Sequence, residues 1–349
     1  MIVLVGGYTQ KMSETLIGKS KGIYILKWNK DTGTTTEIGH LPLKNPSYFA
    51  YNEKNNCLYV IEEIAYEDTP KLKVFKHNGN GNYTFIDEKY IHGAYPCHIA
   101  ISPNGKEVAV ANYGTGNAEV YAIQKNGFVQ NAQILQHTGK GVNPGRQEGP
   151  HAHMCLYNKN RMYVTDLGLD VVKTYEKGSN TGFMNRANLD FKVAAGSGAR
   201  HCVFHPKKEF VYVLTEMFGT VSVFSTKDSS LLQTIKLLPE SFTGLPGAAA
   251  IRISDNGKFL YASERTTSQI IVFKIYKKTG ELTLVERVDA GSKVPRDFNL
   301  SPSEDWLLVA GQSSNDVSVF KRNKDEGTLT LSHQIKDINT PTCIVWHKA

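Results

Sequence analysis

The sequence predicts an all-β fold, on three observations. A unit of short alternating strands around a polar turn recurs at intervals of about 50 residues. Within each unit the apolar positions follow a period of two and are rich in Val, Ile, Leu, Tyr and Phe, as in half-buried strands. The two chain ends each carry an incomplete unit, and the two pieces are complementary.

Six full units follow one another. They are "NPSYFAYNEKNNCLYVIEE", "YPCHIAISPNGKEVAVANYG", "GPHAHMCLYNKNRMYVTDLG", "GARHCVFHPKKEFVYVLTEMFG", "GAAAIRISDNGKFLYASERT" and "VPRDFNLSPSEDWLLVAGQS". Each reads as one strand, a turn rich in Asn, Asp, Gly, Lys or Ser, and a second strand ending in a polar cluster. A third strand follows in most, such as "AEVYAIQ", "VSVFSTK", "IIVFKIY" or "VSVFKRN", and a less regular fourth leads to the next unit. The terminal "TPTCIVWHKA" is a first strand with nothing after it. The initial "IVLVGGYT" is a second strand with nothing before it, and "KGIYILKW" is its third. Joining them completes a seventh unit and covers two sheet edges. The expected architecture is a seven-bladed β-propeller with four-stranded blades, closed by a blade shared between the termini and forming one domain over residues 1–349.

Composition narrows the function classes. The chain has 349 residues, 40% hydrophobic and 21% charged, with a formal net charge of +7. Lys and Arg are dispersed rather than gathered in one tract, which favours an anionic small ligand over nucleic acid. No segment approaches the roughly 20 apolar residues of a membrane helix, and "MIVLVGGYTQKM" lacks the basic region of a signal peptide. Cys57, Cys97, Cys155, Cys202 and Cys343 are scattered and form no CxxC pair. A reducing cytoplasm is therefore the expected setting, with the cysteines as buried small hydrophobes.

In a propeller blade the start of the innermost strand and the end of the second meet at one mouth of the central channel. Alignment of the units makes Tyr48, His98, His153, His201, Ala250 and Asp297 equivalent, with Arg200 and Arg296 one residue earlier and so on the opposite side of the strand. One of these sets is expected to overhang the mouth and the other to tuck between blades. At the second-strand ends, Glu62, Asn112, Asp166, Glu216 and Glu264 share one position with Gly7 and Gly311. Glu63, Tyr113, Leu167, Met217, Arg265, Gln312 and Tyr8 share the next. For a single blade-end acid, capping its own turn is the commoner role, and for His98 and His201 an inter-blade contact is. The stretch "GRQEGPHAHM" stands apart, because it places His151 and His153 beside Arg146, Gln147 and Glu148 at a strand start.

The motifs "NPSY", "PCH", "ANYG", "RQEGPHAH", "VTDLGLD", "GSGARHCVFHP", "VLTE", "LYASER" and "PRDF" occur in that order over nearly the whole chain. In these the sequence resembles the seven-bladed lactonase family, which includes propeller-type 6-phosphogluconolactonases and fungal carboxymuconate cyclases. The resemblance implies a catalytic set of His151 or His153, Arg200, Glu216 and Arg265, with Arg252 and Arg296 as alternatives to the last. It also implies hydrolysis of 6-phosphogluconolactone, a step of carbohydrate metabolism in the pentose phosphate pathway. No cofactor and no metal is expected, because the arginines would compete with a cation for the same carboxylates. Two departures bear on the substrate: "GSGARH" lacks the proline that often precedes the arginine, and "GAAAIRIS" lacks an acid and a cysteine.

The chemistry fits such a set. Attack of water on a lactone carbonyl puts negative charge on its oxygen, which an arginine or a protonated histidine stabilises. Glu216 or a histidine of "PHAH" is placed to take the proton. Arg146, Arg200, Arg265 and Arg296 are candidates for the phosphate, and Gln147, Asp166, Asn112 and Tyr8 for further contacts with a small anionic sugar lactone. No GxSxG elbow is present, which argues against a covalent serine mechanism. Three alternatives stand beside this reading: a hard cation held by Glu62, Asp166, Glu216 and Glu264, a lactonase or cyclase acting on a non-phosphorylated carboxylated substrate, and a non-catalytic protein-binding propeller.

Overall fold

Strand alternation places one set of side chains from each sheet against the next sheet, so these sheets have two buried faces. In the computed structural model, which describes residues 1–179 and 182–347, this yields seven antiparallel sheets arranged as a ring of blades. The innermost strands are Tyr48–Asn52, Pro96–Ile101, Ala152–Asn158, Ala199–Phe204, Ala248–Ile253, Pro295–Leu300 and Pro341–His347. Each touches the next around the axis, and the last touches the first, so the ring is closed. We number the blades one to seven in this order. Outward from each inner strand the blade continues in sequence order, except that blade seven takes Ile2–Gly7, Ile23–Trp28 and Thr35–Leu41 from the amino-terminal end. Blade three carries a fifth strand, Phe191–Lys192, beside its third. No helix among the described residues is long and apolar enough to cross a membrane.

The core is divided rather than central. Among the described residues, a hydrophobic cluster fills every interface between neighbouring blades. Tyr212, Leu214 and Leu260 lie between blades four and five, for example, and Val3, Leu308 and Ile344 between six and seven. Large aromatic residues such as Phe273, Phe298 and Phe320 are fully buried there. Stability therefore depends on each blade having two neighbours.

Closure follows from the pairing of Ile2–Gly7 with Pro341–His347, where Val3 faces Trp346 and Val5 faces Ile344. Thr340 Oγ1 donates to the carbonyl of Tyr8 at 2.7 Å, and Thr342 Oγ1 to that of Ser47 at 3.0 Å. At Gly6 an added Cβ would lie 2.3 Å from the carbonyl oxygen of Pro46, so only glycine lets blade seven approach blade one this closely. Ile344 is 1% exposed. Ile344→Ala is expected to lower the free energy of urea unfolding by about 2–5 kcal/mol. Removal of residues 341–349 is expected to abolish the single cooperative thermal transition; a truncated chain melting like the full one would contradict the dependence on closure.

Candidate active site

Inner-strand bulges decide which side chains meet at the mouth. In six of the seven blades the pairing of the inner strand with the second strand slips near this end, blade one being regular. A bulge adds a residue and re-aims the side chains around it. The equivalences are fixed by backbone hydrogen bonds: the N–H groups of Glu63, Tyr113, Leu167, Glu216, Arg265, Gln312 and Tyr8 donate to the carbonyls of Asn45, Tyr95, His151, Gly198, Gly247, Val294 and Thr340.

Two expected equivalences change as a result. Glu216 shares its position with Glu63, Arg265 and Tyr8, while Thr215, paired with Ala199, takes the place beside Asp166 and Glu264. On the inner strands His153 falls with Cys97, Arg200 and Arg296, and Met154 pairs as His98 and His201 do. The expected separation of the two inner sets also fails. Arg200 and His201 are adjacent, yet both line one small cavity on the axis with His153, Arg296, Glu63 and Cys97. Nor do His98 and His201 lie between blades: their rings are 5.5 Å apart across the channel, and His201 is 5.4 Å from His153.

Glu216 organises the cationic side of the mouth. Arg200 Nε donates to Oε2 at 2.9 Å, Arg146 Nη2 donates to Oε1 at 2.8 Å, and Arg265 Nη2 lies 3.2 Å from Oε1. Burial opposes the charge on Glu216, but Arg265, Arg200, His153 and Arg146 outweigh it and hold the carboxyl well below the usual range. Such a carboxylate is a poor base and a good anchor. Arg200 also donates through Nη1 to the carbonyl of Ala249 and to His201 Nε2. Burial, with Arg265 adding to it, brings the Arg200 guanidinium down to about 10, so it remains charged at neutral pH.

The backbone that presents Arg200 is held from the neighbouring blade. Asp170 accepts the N–H groups of Gly196 at 2.7 Å and Gly198 at 2.6 Å. Gly198 has φ +73°, and a Cβ there would meet Met217 and Leu167, which explains the glycine in "GSGAR". Across the mouth, Tyr8 donates its hydroxyl to Glu63 Oε1 at 2.9 Å, and the Arg296 guanidinium lies 5.3 Å above the Tyr8 ring. Arg296 Nη2 is 3.9 Å from Glu63 Oε1.

The remaining expected residues divide. His151 stacks on Tyr113 with ring centroids 4.5 Å apart, and its ring nitrogens face the Tyr113 carbonyl and the exposed Glu148. It sits at the rim, beside Arg146, rather than on the axis. Asn112, Gln147 and Asp166 were expected to contact substrate, but all three are fully buried and engaged within the fold. Asn112 donates to Glu119, and Gln147 donates to the Leu167 carbonyl and accepts from the Asn143 N–H. Asp166 accepts from the N–H groups of His151 and Leu169 and pairs with His137. Asp166 thus caps its own turn, as its position at the second-strand end favours, while Asn112 joins a buried side-chain pair and Gln147 closes its own loop. The four acids considered for a cation do not converge: Glu62 pairs with Lys73, Glu264 accepts from Gly247 and Thr267, and Glu216 belongs to the other set. Among the described residues no three His, Cys, Asp or Glu side chains form a metal-holding group. Glu63 and Tyr113 carry more of the site than the sequence indicated. Their alignment with Arg265 and Tyr8 was the available signal.

Comparison with known proteins concerns the chain as a whole. The family described as "Lactonase, 7-bladed beta-propeller" matches residues 2–346. A 6-phosphogluconolactonase of Bacillus subtilis is 31% identical over 97% of this chain and 96% of its own. One from Formosa agariphila is 28% identical over 94% of both chains. Among solved structures, the Pseudomonas aeruginosa periplasmic gluconolactonase PpgL superposes with a TM-score of 0.90 at 25% identity, covering 99% of this chain and 98% of that one.

The histidines on the axis make stability sensitive to acid. Burial, with Arg252 and Arg200 adding to it, lowers His98 to about 3. Burial and neighbouring cations push His153 and His201 well below the ordinary value. All three are neutral when folded, whereas unfolded histidines take up protons below about pH 6.5. Stability is thus fully present above that value and is lost as pH falls toward the folded values. Between pH 7 and pH 5 His98 alone should remove roughly 2 kcal/mol, and His153 and His201 act in the same direction. Urea midpoints at the two pH values measure this. His98→Gln should flatten the dependence by about one proton's worth, and an unchanged midpoint would contradict the assignment.

Proposed function

Because the chain belongs to the seven-bladed β-propeller lactonase family and is a lactone hydrolase, we propose that its substrate is 6-phosphogluconolactone, hydrolysed to 6-phosphogluconate at this mouth. The observation that carries the proposal is the charge balance there. Arg146, Arg200, Arg265 and Arg296 face only two buried carboxylates, Glu216 and Glu63. The exposed Glu148 also lies within reach of Arg146, so one positive charge remains in surplus, which suits a phosphate group and is more than a neutral sugar lactone requires. A charge-assisted hydrogen bond contributes roughly 1.5–3 kcal/mol, so two such contacts suffice for useful binding.

The roles follow from depth. Arg146 and Arg265 are the more exposed arginines around Glu216, and they take the phosphate at the rim. Arg200 is 2% exposed and tied at three points. It meets the carbonyl oxygen as that oxygen gains charge, a donor fixed in advance of the reaction. His153 is neutral and lines the cavity beside Arg200, where it hydrogen-bonds the attacking water. Glu216 holds the guanidinium groups in place.

The likeness to a gluconolactonase favours one second reading, a non-phosphorylated aldonolactone. A continuous assay with freshly generated 6-phosphogluconolactone, corrected for spontaneous opening and run beside plain gluconolactone, separates the two. The phosphorylated lactone is expected to have the higher kcat/KM, and Arg146→Ala is expected to raise KM for it alone. Arg200→Ala should lower kcat by roughly 100-fold or more, the loss seen when one donor to an oxyanion is removed. Activity should be unchanged by chelator. Equal rates on both lactones, or full activity of Arg200→Ala, would overturn the proposal.

A further inference from the structure

Hydrolysis needs a group that accepts the proton of the attacking water, and the arginines leave Glu216 unfit for it. The axis cavity holds about 10 Å³ of free space, about the least that admits one water molecule. Its wall combines His153, Arg200, Arg296 and Glu63. The Glu63 side chain is more than nine-tenths buried. Tyr8 donates to its Oε1, while its Oε2 is buried and has no hydrogen-bond partner. A carboxylate oxygen without a donor costs free energy unless something outside the protein satisfies it. Its nearest cation, Arg296, is at 3.9 Å, against three arginines within 3.2 Å of Glu216.

We propose that Glu63 is the general base of this site, its free Oε2 binding the attacking water in the axis cavity and its Oε1 positioned by the Tyr8 hydroxyl. The inference rests on the lactonase reading above. One O–H bond of the water breaks and its proton passes to Glu63 Oε2. The water oxygen bonds to the lactone carbonyl carbon, and the carbonyl pair moves onto the oxygen that faces Arg200. On collapse the bond from the carbonyl carbon to the ring oxygen breaks, and the proton held by Glu63 returns to that leaving oxygen. The carboxylate is regenerated and the product is the open acid. His153 orients the water without holding the proton, and Tyr8 is a positioning residue.

Glu63→Gln preserves size and the acceptor for Tyr8 but removes basicity. With the best lactone of the panel it is expected to lower kcat about 100-fold or more while leaving KM within about threefold, within the range general bases contribute. The acid limb of the wild-type kcat profile should disappear with it. Tyr8→Phe should lower kcat less than Glu63→Gln does and leave KM within about threefold. Thermal melting establishes that the variants are folded. If Glu63→Gln does not fold, Glu63→Ala assayed with added formate replaces it, since formate fits the space and should restore a measurable part of the rate. A folded Glu63→Gln with kcat within threefold of wild type, or a slow variant that retains the acid limb, or no response to formate, overturns the proposal. Failure of the wild type on 6-phosphogluconolactone alone would instead sink the substrate reading, leaving Glu63 to be judged on whichever lactone is turned over.

Discussion

The pairing of the first strand with the last is the constraint on which the molecule depends. Blades of this kind have no core of their own, so each interface cluster exists only because its two sheets are held side by side. The Ile2–Gly7 to Pro341–His347 ladder supplies the one junction that the chain does not make by running on. It also brings Thr342 into the same cavity as Arg200 and His153, residues far away in sequence, and places the Tyr8 hydroxyl on Glu63 in its wall. Fold closure and site assembly are one event.

At that opening the physics is dominated by charge in a confined space. A single carboxylate with three guanidinium neighbours costs little to bury because each partner is hydrogen-bonded or close. The histidines nearby stay neutral, chiefly because they are buried and secondarily because the arginines disfavour a further positive charge. An arginine cluster anchored in this way is fixed before any ligand arrives, so little reorganisation is needed when negative charge develops beside it.

The repeat, the strand order and the shared blade were legible because they follow from period and composition, which survive small insertions. The family motifs also brought His153, Arg200, Glu216 and Arg265 to notice. What was not legible is side-chain facing. Alternation predicts it only in a regular strand, and six of the seven inner strands are bulged at the mouth. "PHAH" therefore aligned one residue away from its true partner, and Glu216 was grouped with acids that cap turns. The burial of Asn112, Gln147 and Asp166 was hidden for a related reason: a polar residue at a loop end looks the same whether it faces outward or its own fold.

The surplus of positive charge has an effect on turnover as well as on capture. Opening a lactone creates an acid that ionises, so what leaves the channel is more anionic than what came in. A cationic vestibule would then grip the hydrolysed molecule harder than the intact one, making departure a slow step. Glu63 and the anchored Glu216 oppose this, because a newborn carboxylate beside them is repelled. On the proposed reaction, the same two buried acids that steady the arginines also help to clear the pore.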